Sequence, residues 1–253
     1  MAGIVEEAVE LLEESEEGIE AEAAGEAEAE ASEEMASEVK EASKSVSMLR
    51  RSVDALKELH VPQAVKSFTK FIVKNAAIGA VLFGVNVALQ KLFDDRGTCK
   101  PASKTIQQKQ KKVKAIAKLT SDVGNTLTKL AKWAKDNEDV TVDIGDGITV
   151  PLPDMISKYT KPMEKDVQAA FTVAQQLIKK DGGAKPTFVV PTTEQVDQLI
   201  NSTEAIMQVL QKIVTFANAK KEKFPALGTL PIKQYDVDKI NDELETIKKL
   251  PYA

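Results

Sequence analysis

Apolar residues recur at alternating steps of three and four through most of the chain, which is the spacing of helices that bury one stripe. One such helix begins near residue 36 and ends before Pro62, because a proline disfavours helical geometry in the residue before it. The same spacing predicts further helices at 103–137, at 161–180, over about thirty residues from Thr192, and around 237–247. A repeat near 3.5 residues favours shallow crossing angles. We therefore expect an all-α fold, an elongated bundle of long heptad-patterned helices.

One segment departs from this pattern, because its apolar residues occupy every side of the predicted helix. The helix covers about residues 71–93, and no charged residue lies between Asn75 and Gln90. A helix that is apolar all round is enclosed, either by other helices or by lipid. Its apolar and glycine positions are Phe71, Ile72, Val73, Ile78, Gly79, Val81, Leu82, Phe83, Gly84, Val85, Val87, Leu89, Leu92 and Phe93.

The length of this apolar helix is compatible with enclosure either by other helices or by lipid. A spanning helix needs about twenty apolar residues, whereas ten to fourteen is typical of a core helix. Lys70, Lys74 and Lys91 lie near its ends, where lysine stems reach headgroups, and small residues favour close helix contact. Three amide side chains oppose insertion, and the nearly balanced basic residues on the two sides predict no orientation. The alternatives are a membrane segment and the core of a bundle.

The β signals are few and short. Residues 140–150 alternate apolar and polar positions on either side of Gly145-Asp146-Gly147, which predicts a small β-hairpin. Pro151 prevents its continuation. The residues at 186–191 predict an extended segment that could form one short strand. A two-stranded hairpin is marginal alone, so we expect the hairpin to lie on a helix or to project from the bundle.

The N-terminal segment is strongly acidic. Residues 1–44 hold sixteen glutamates against two lysines, a net charge of −14. We predict an acidic low-complexity arm over residues 1–35, with a possible short amphipathic helix at 4–20, followed by a helical bundle domain over 36–253. Dense like charge with little to bury favours a mobile or weakly helical tether at 21–34.

The predicted helix at 103–137 carries a dense basic block. Its members are Lys109, Lys111, Lys112, Lys114 and Lys118. Lysines attract phosphates of nucleic acid, anionic lipid headgroups or the acidic arm. The block has no arginine and no interleaved aromatic residue, so nucleic acid is the less favoured partner. One hypothesis is that the acidic arm covers this helix until release.

Catalytic and metal chemistry have little support. His60 is the one histidine and Cys99 the one cysteine, which excludes an intramolecular disulfide and most zinc spacings. Asp139, Asp143 and Asp146 surround the predicted hairpin, but their spacing misses the EF-hand pattern. We therefore predict no catalytic residue, no cofactor and no metal site. The N-terminus shows no signal-peptide pattern.

These features favour a non-enzymatic protein that associates with or inserts into a membrane. Long helices, one apolar segment and a small hairpin also make up helical pore-forming toxins and some membrane-penetrating viral structural proteins, although no motif supports membership in either class. A pore-forming, membrane-penetrating or virion-type structural role is the prediction, at a membrane or a particle. The expected partners are a lipid bilayer and further copies or partner helices, with no small-molecule substrate. The alternative is a soluble scaffold or assembly protein with helix 71–93 as its core.

Overall fold

Helices dominate the computed structural model, which describes residues 2–26, 33–58, 63–94, 103–179 and 186–252. These ranges form eight α-helices: α1 (Ala2–Glu26), α2 (Glu33–Glu58), α3 (Gln63–Asp94), α4 (Ser103–Asp136), α5 (Leu152–Thr160), α6 (Glu164–Gln176), α7 (Thr193–Lys220) and α8 (Gln234–Lys249). Two antiparallel hairpins pair β1 (Thr141–Asp143) with β2 (Thr149–Pro151) and β3 (Ile178–Lys179) with β4 (Thr187–Phe188). The predicted all-α class is confirmed.

The apolar helix α3 lies at the centre of the bundle. Its largest contact is with α4, and α1, α2, α5 and α6 pack on its other sides. We call these five helices the sheath. The amphipathic stripe of α2 turns inward, with Ala42, Val46, Leu49 and Val53 each at most 2% exposed. The predicted arrangement of patterned helices around one very apolar helix is therefore confirmed.

The first helix is longer and better packed than the sequence suggests. α1 contains the predicted helix at 4–20 and continues to Glu26, six residues into the predicted tether. Its main contacts are with α3, α2 and β4. Four of its apolar side chains are at most 4% exposed: Ala8, Leu11, Leu12 and Ile19. The described part of the acidic segment is thus part of the sheath, and residues 27–32 lie outside the described residues.

Two glutamates of α1 form ion pairs with α2. Arg50 of α2 donates to Glu16 at 2.5 Å and lies 3.5 Å from Glu13. All three side chains are partly exposed, so these pairs add little to stability. The described contacts of α1 give no support to the hypothesis that the acidic arm covers α4.

The predicted helix at 161–180 is shorter in the structure, where α6 covers Glu164–Gln176, and α5 precedes it where no helix was predicted. The chain enters α5 at Leu152, and Pro153 lies in its first turn, where a missing N–H costs no hydrogen bond. A 3-10 turn at Lys161–Met163 then leads into α6. The chain leaves α6 at Gln176 because Ile178 pairs with Phe188 in the second hairpin. The predicted extended segment at 186–191 thus contains a strand, but its partner strand was predicted as helix.

Local signals place the other elements well. Thr192 Oγ1 accepts from Gln195 N at 3.3 Å, and Thr192 N donates to Gln195 Oε1 at 2.9 Å, so a capping box opens α7. The β1–β2 hairpin occurs where predicted, with Gly145 and Gly147 at positive φ. Val142 is fully buried, which anchors this hairpin to the bundle. The turn depends most on Gly145, whose φ of 121° lies where other residues are strained.

Candidate functional site

The candidate functional element is α3 with the surfaces that enclose it. Within the described residues α3 alone has the length and composition of a membrane span, over 23 residues from Phe68 to Gln90. At 1.5 Å per residue this segment is about 35 Å long, against about 30 Å of hydrocarbon. In this structure 89% of its apolar window is buried inside the protein. A core helix of a soluble protein has the same length and composition, so the residues around α3 have to distinguish the two.

The predicted membrane-segment residues lie together on α3. Those from Phe71 to Leu89 are all buried, and the most exposed side chains among them, Phe71 and Phe83, reach only 6%. Leu92 and Phe93 belong to α3, but their side chains are outside the described residues. Burial extends round the whole helix and not along one stripe. The sheath therefore replaces solvent on every side of the predicted segment.

Buried amides join α3 to α4. Asn75 Nδ2 donates to the backbone oxygen of Thr120 at 2.8 Å, and Gly124 leaves room for this amide. Near the other end of α3, Gln90 accepts a hydrogen bond from Gln110. A buried amide without a partner costs free energy, so such bonds favour one register between the two helices. The sequence suggested amides opposing lipid insertion but could not identify their partners.

The aromatic ring of Phe188, in β4, occupies a notch between α1 and α3. A Cβ built at Gly84 would lie 2.0 Å from Phe188 Cζ, and one at Gly18 would lie 2.7 Å from Phe188 Cε2. Two glycines therefore create the space for the ring. We call this arrangement the Phe188 wedge. It joins the second hairpin to both helices, and no local sequence pattern predicts it.

Only some of the five lysines in the predicted basic block are exposed. Lys111 and Lys118 are exposed on α4. Lys114 lies 3.7 Å from Glu41 of α2, which ties one lysine of the block to the sheath. These exposed or half-exposed cations remain candidates for contact with anionic lipid, as the charge pattern predicts.

Lys112 does not belong to that surface. Its side chain is 6% exposed, and Nζ donates to the backbone oxygen of Leu250 at 2.9 Å. The ammonium of Lys112 thus lies at the C-terminal end of α8, where the backbone carbonyls and the helix dipole favour a positive charge. Lys109 is half-buried, with Nζ 5.4 Å from the centre of the Tyr252 ring. Two of the five predicted cations thus hold the C-terminal residues against α4.

Tyr252 completes this C-terminal contact, and we expect Tyr252→Phe to destabilise the protein. Its hydroxyl donates to the oxygen of Pro191 at 2.7 Å, and its side chain is 6% exposed. Burial raises the pKa of Tyr252, so the group stays a donor at neutral pH. Removing the hydroxyl leaves a buried carbonyl unpaired, at a cost of about 1–3 kcal/mol. Urea unfolding measures the change, and Tyr235→Phe, at a side chain 74% exposed, is the matched control with no expected effect.

A half-buried carboxyl lies at the contact between α4 and α8. Asp122 lines a cavity of about 390 Å³ together with Lys239 and Glu243 of α8. Burial raises the pKa of Asp122 above the ordinary value of 3.8, and Glu243 adds to the rise while Lys118 and Lys239 oppose it. Folding therefore favours the neutral form of this carboxyl more than water does.

We expect Asp122→Asn to stabilise the protein at pH 7 and to leave its stability unchanged near pH 3. The folded pKa is raised, so stability falls as the pH rises from the unfolded pKa through the folded one, and the full cost is present at neutral pH. Thermal melts at the two pH values measure the difference. A lower melting temperature for the variant at pH 7 would show that the charged carboxylate is favourable.

Catalytic and metal chemistry gain no support from the described residues. No group of three or more potential metal ligands occurs in the described ranges. Asp143 accepts from Gly145 N at 2.9 Å and from Lys223 Nζ at 3.1 Å, so it closes the β1–β2 turn. His60 and Cys99 lie outside the described residues. The prediction of a non-enzymatic protein stays a prediction.

Comparison with known proteins adds no relative. No protein-family model, no curated protein and no solved structure matches this chain. The likeness of layout to helical toxins and membrane-penetrating viral proteins therefore has no match of sequence or structure behind it. A function has to be argued from the residues of the chain itself.

Proposed function

We propose that this is a membrane-active helical protein whose water-soluble form encloses α3 and whose membrane-bound form places α3 in the bilayer. One observation carries the proposal: a segment of membrane length is enclosed by amphipathic helices with polar outer faces. Its pore-forming, penetrating or virion-type use belongs to the same proposal. The bundle is then the soluble carrier of a single membrane segment.

The interior of the bundle and the hydrocarbon of a bilayer are almost equally favourable surroundings for α3. Lipid tails are as apolar as the aliphatic side chains that surround α3 in the bundle, and its backbone hydrogen bonds are internal to the helix. Moving α3 from the bundle into the bilayer therefore costs mainly the packing contacts and side-chain hydrogen bonds between α3 and the sheath. The apolar stripes of α1, α2 and α4, once uncovered, have the form of helices that lie in the membrane interface.

The polar residues of α3 are placed in a way that agrees with this transfer. Residues 76–85 contain no polar side chain and would occupy about 15 Å at the centre of the hydrocarbon. Lys74 and Asn75 lie on one side of this centre, and Asn86 and Gln90 on the other. A lysine near the end of a segment extends its ammonium towards headgroups.

Protease protection tests the proposal. The full chain is mixed with phosphatidylglycerol vesicles, digested, and the membrane fraction is analysed by mass spectrometry. We expect a protected fragment that contains Phe68–Gln90, present with vesicles and lost when detergent dissolves them. Complete digestion of this segment with vesicles present, or a protein that stays wholly in the aqueous fraction, would contradict insertion.

A soluble assembly protein is the second candidate, and the side-chain bonds of α3 favour it. Asn75 and Gln90 bond to α4, and Lys74 bonds to Gln168 of α6, which matches α3 to this bundle in detail. For this candidate we expect a protein that ignores vesicles and forms a defined oligomer in detergent-free buffer. Analytical ultracentrifugation and vesicle flotation of the same sample distinguish the two.

A further inference from the structure

A cleft of about 670 Å³ opens between the N-terminal part of α3 and α6. Lys70 and Lys74 reach it from successive turns of α3, and Lys165 reaches it from α6. Phe71 and Ala169 form its apolar part. We call it the lysine cleft. It combines three cations with an apolar wall at one end of the candidate membrane segment.

Lys74 is the unusual member of this cleft. Its side chain is 8% exposed, although lysine is rarely buried without a compensating partner. Its ammonium donates to Gln168 Oε1 and lies 5.4 Å from the centre of the Phe171 ring. Among the described residues no carboxylate lies within ion-pair distance of Lys74 Nζ. An ammonium has three N–H donors, so two remain for a further acceptor.

The acidic groups near Lys74 do not supply that acceptor. Glu164 of α6 and Glu7 of α1 are the carboxylates whose charges reach Lys74. Glu7 already accepts from Gln175 Nε2 at 2.7 Å, and Glu164, an exposed residue that also lines the cleft, forms no ion pair with Lys74. The three lysines together exceed these two carboxylates by one positive charge. The cleft therefore favours an anion.

We infer that the lysine cleft binds a phosphate group, with Lys70, Lys74 and Lys165 as its donors, and that Phe71 and Ala169 accept an apolar chain attached to it. Phosphate oxygens form strong charge-assisted hydrogen bonds with ammonium groups, and a desolvated ammonium gains most from such a bond. An anionic lipid supplies both parts of this ligand. The inference deepens the proposed function, because it gives the same end of α3 a headgroup partner, and its lipid source rests on that function.

Soluble probes test the cleft without requiring α3 to leave the bundle. Isothermal titration of the full chain compares dihexanoyl phosphatidic acid below its micelle concentration, inorganic phosphate and dihexanoyl phosphatidylcholine. We expect phosphatidic acid to bind more tightly than phosphatidylcholine by about tenfold or more. Inorganic phosphate as tight as phosphatidic acid would keep the anion site and overturn the apolar-chain part. Phosphatidylcholine as tight as phosphatidic acid would overturn the anion site.

Charge-removing variants locate the site. We expect Lys74→Met, which keeps an apolar stem, to weaken phosphatidic acid binding about tenfold, and Lys165→Gln to weaken it about threefold. Lys212→Gln removes an exposed lysine of α7, outside the basic block, and is the matched control, with a change below about twofold. Lys165 is exposed, so Lys165→Gln tests the site even where Lys74→Met disturbs folding. Equal effects of Lys165→Gln and Lys212→Gln would overturn the inference.

The two proposals fail separately. Loss of phosphate binding with vesicle insertion intact removes the lysine cleft and leaves the proposed function. Phosphate binding without a protected α3 fragment keeps the lysine cleft and removes membrane insertion, so the phosphate source is then not a bilayer lipid.

Discussion

We expect Leu82→Ala to lower the free energy of unfolding by about 2–5 kcal/mol, because it opens a cavity in a packed core. Leu82 lies near the middle of α3 and is fully buried. The substitution leaves α3 apolar and long enough to span a bilayer. Urea unfolding followed by circular dichroism measures the loss of stability, and vesicle flotation measures the consequence for binding. We expect binding to rise, because α3 is held less tightly by the sheath.

Leu244→Ala is the matched control for this prediction. Leu244 lies in α8, which packs on α4 and α7, and its side chain is 2% exposed. We expect a comparable loss of stability with a smaller gain in vesicle binding, since the packing around α3 is kept. Equal gains at equal destabilisation would mean that general unfolding, and not the packing of α3, controls binding.

The second large effect is expected at the Phe188 wedge, where Gly84→Ala should destabilise the protein by about 1–3 kcal/mol. The new methyl group would lie 2.0 Å from Phe188 Cζ, and on its other side the ring lies close to Gly18 of α1, where a built Cβ would be 2.7 Å from Phe188 Cε2. Gly79→Ala on the same helix is the matched control. A Cβ there meets its nearest atom, Leu49 Cδ1, at 3.4 Å. Because alanine favours helix, we expect that variant to gain up to about 1 kcal/mol.

A double-mutant cycle separates the wedge from a general effect of the substitution. Phe188→Ala removes the ring, so Gly84→Ala added to it meets no clash and should cost far less than it does alone. The interaction energy from urea unfolding of the four proteins is then of opposite sign to the single effects. Additive effects would contradict the wedge.

Local patterns predicted the helices and the centre of the bundle. All-round hydrophobicity between Asn75 and Gln90 identified α3, because such a helix tolerates no solvent face. Alternation around Gly145 and Gly147 identified the first hairpin, and the Thr192–Gln195 spacing identified the start of α7. Each of these signals lies within one element, so a single stretch of sequence contains it.

Long-range contacts account for what the sequence did not predict. The apolar spacing predicts a helix as far as residue 180, whereas Ile178 pairs with Phe188, so only the fold shows that α6 ends at Gln176. The burial of Lys112 depends on the carbonyls at the end of α8, which lie more than 130 residues away. A run of lysines does not reveal which member turns inward. The lysine cleft likewise joins α3 to α6 and has no motif.

The central claim is that α3 leaves the bundle for the bilayer, and a reversible cross-link between α3 and α4 tests it most directly. A Cβ built at Gly79 lies 3.6 Å from Thr120 Cγ2, which brings the two positions within reach of a disulfide. The variant is Gly79→Cys with Thr120→Cys, in a chain that also carries Cys99→Ser. Its reduced form serves as its own control, since sequence and charge are identical.

Vesicle insertion of the oxidised and reduced forms is then compared by protection of the Phe68–Gln90 fragment from protease. We expect the oxidised protein, with α3 joined to α4, to give no protected fragment, and the reduced protein to give as much as the Cys99→Ser parent. Equal protection in the oxidised and reduced forms, or none in either, would contradict the release of α3 into the membrane.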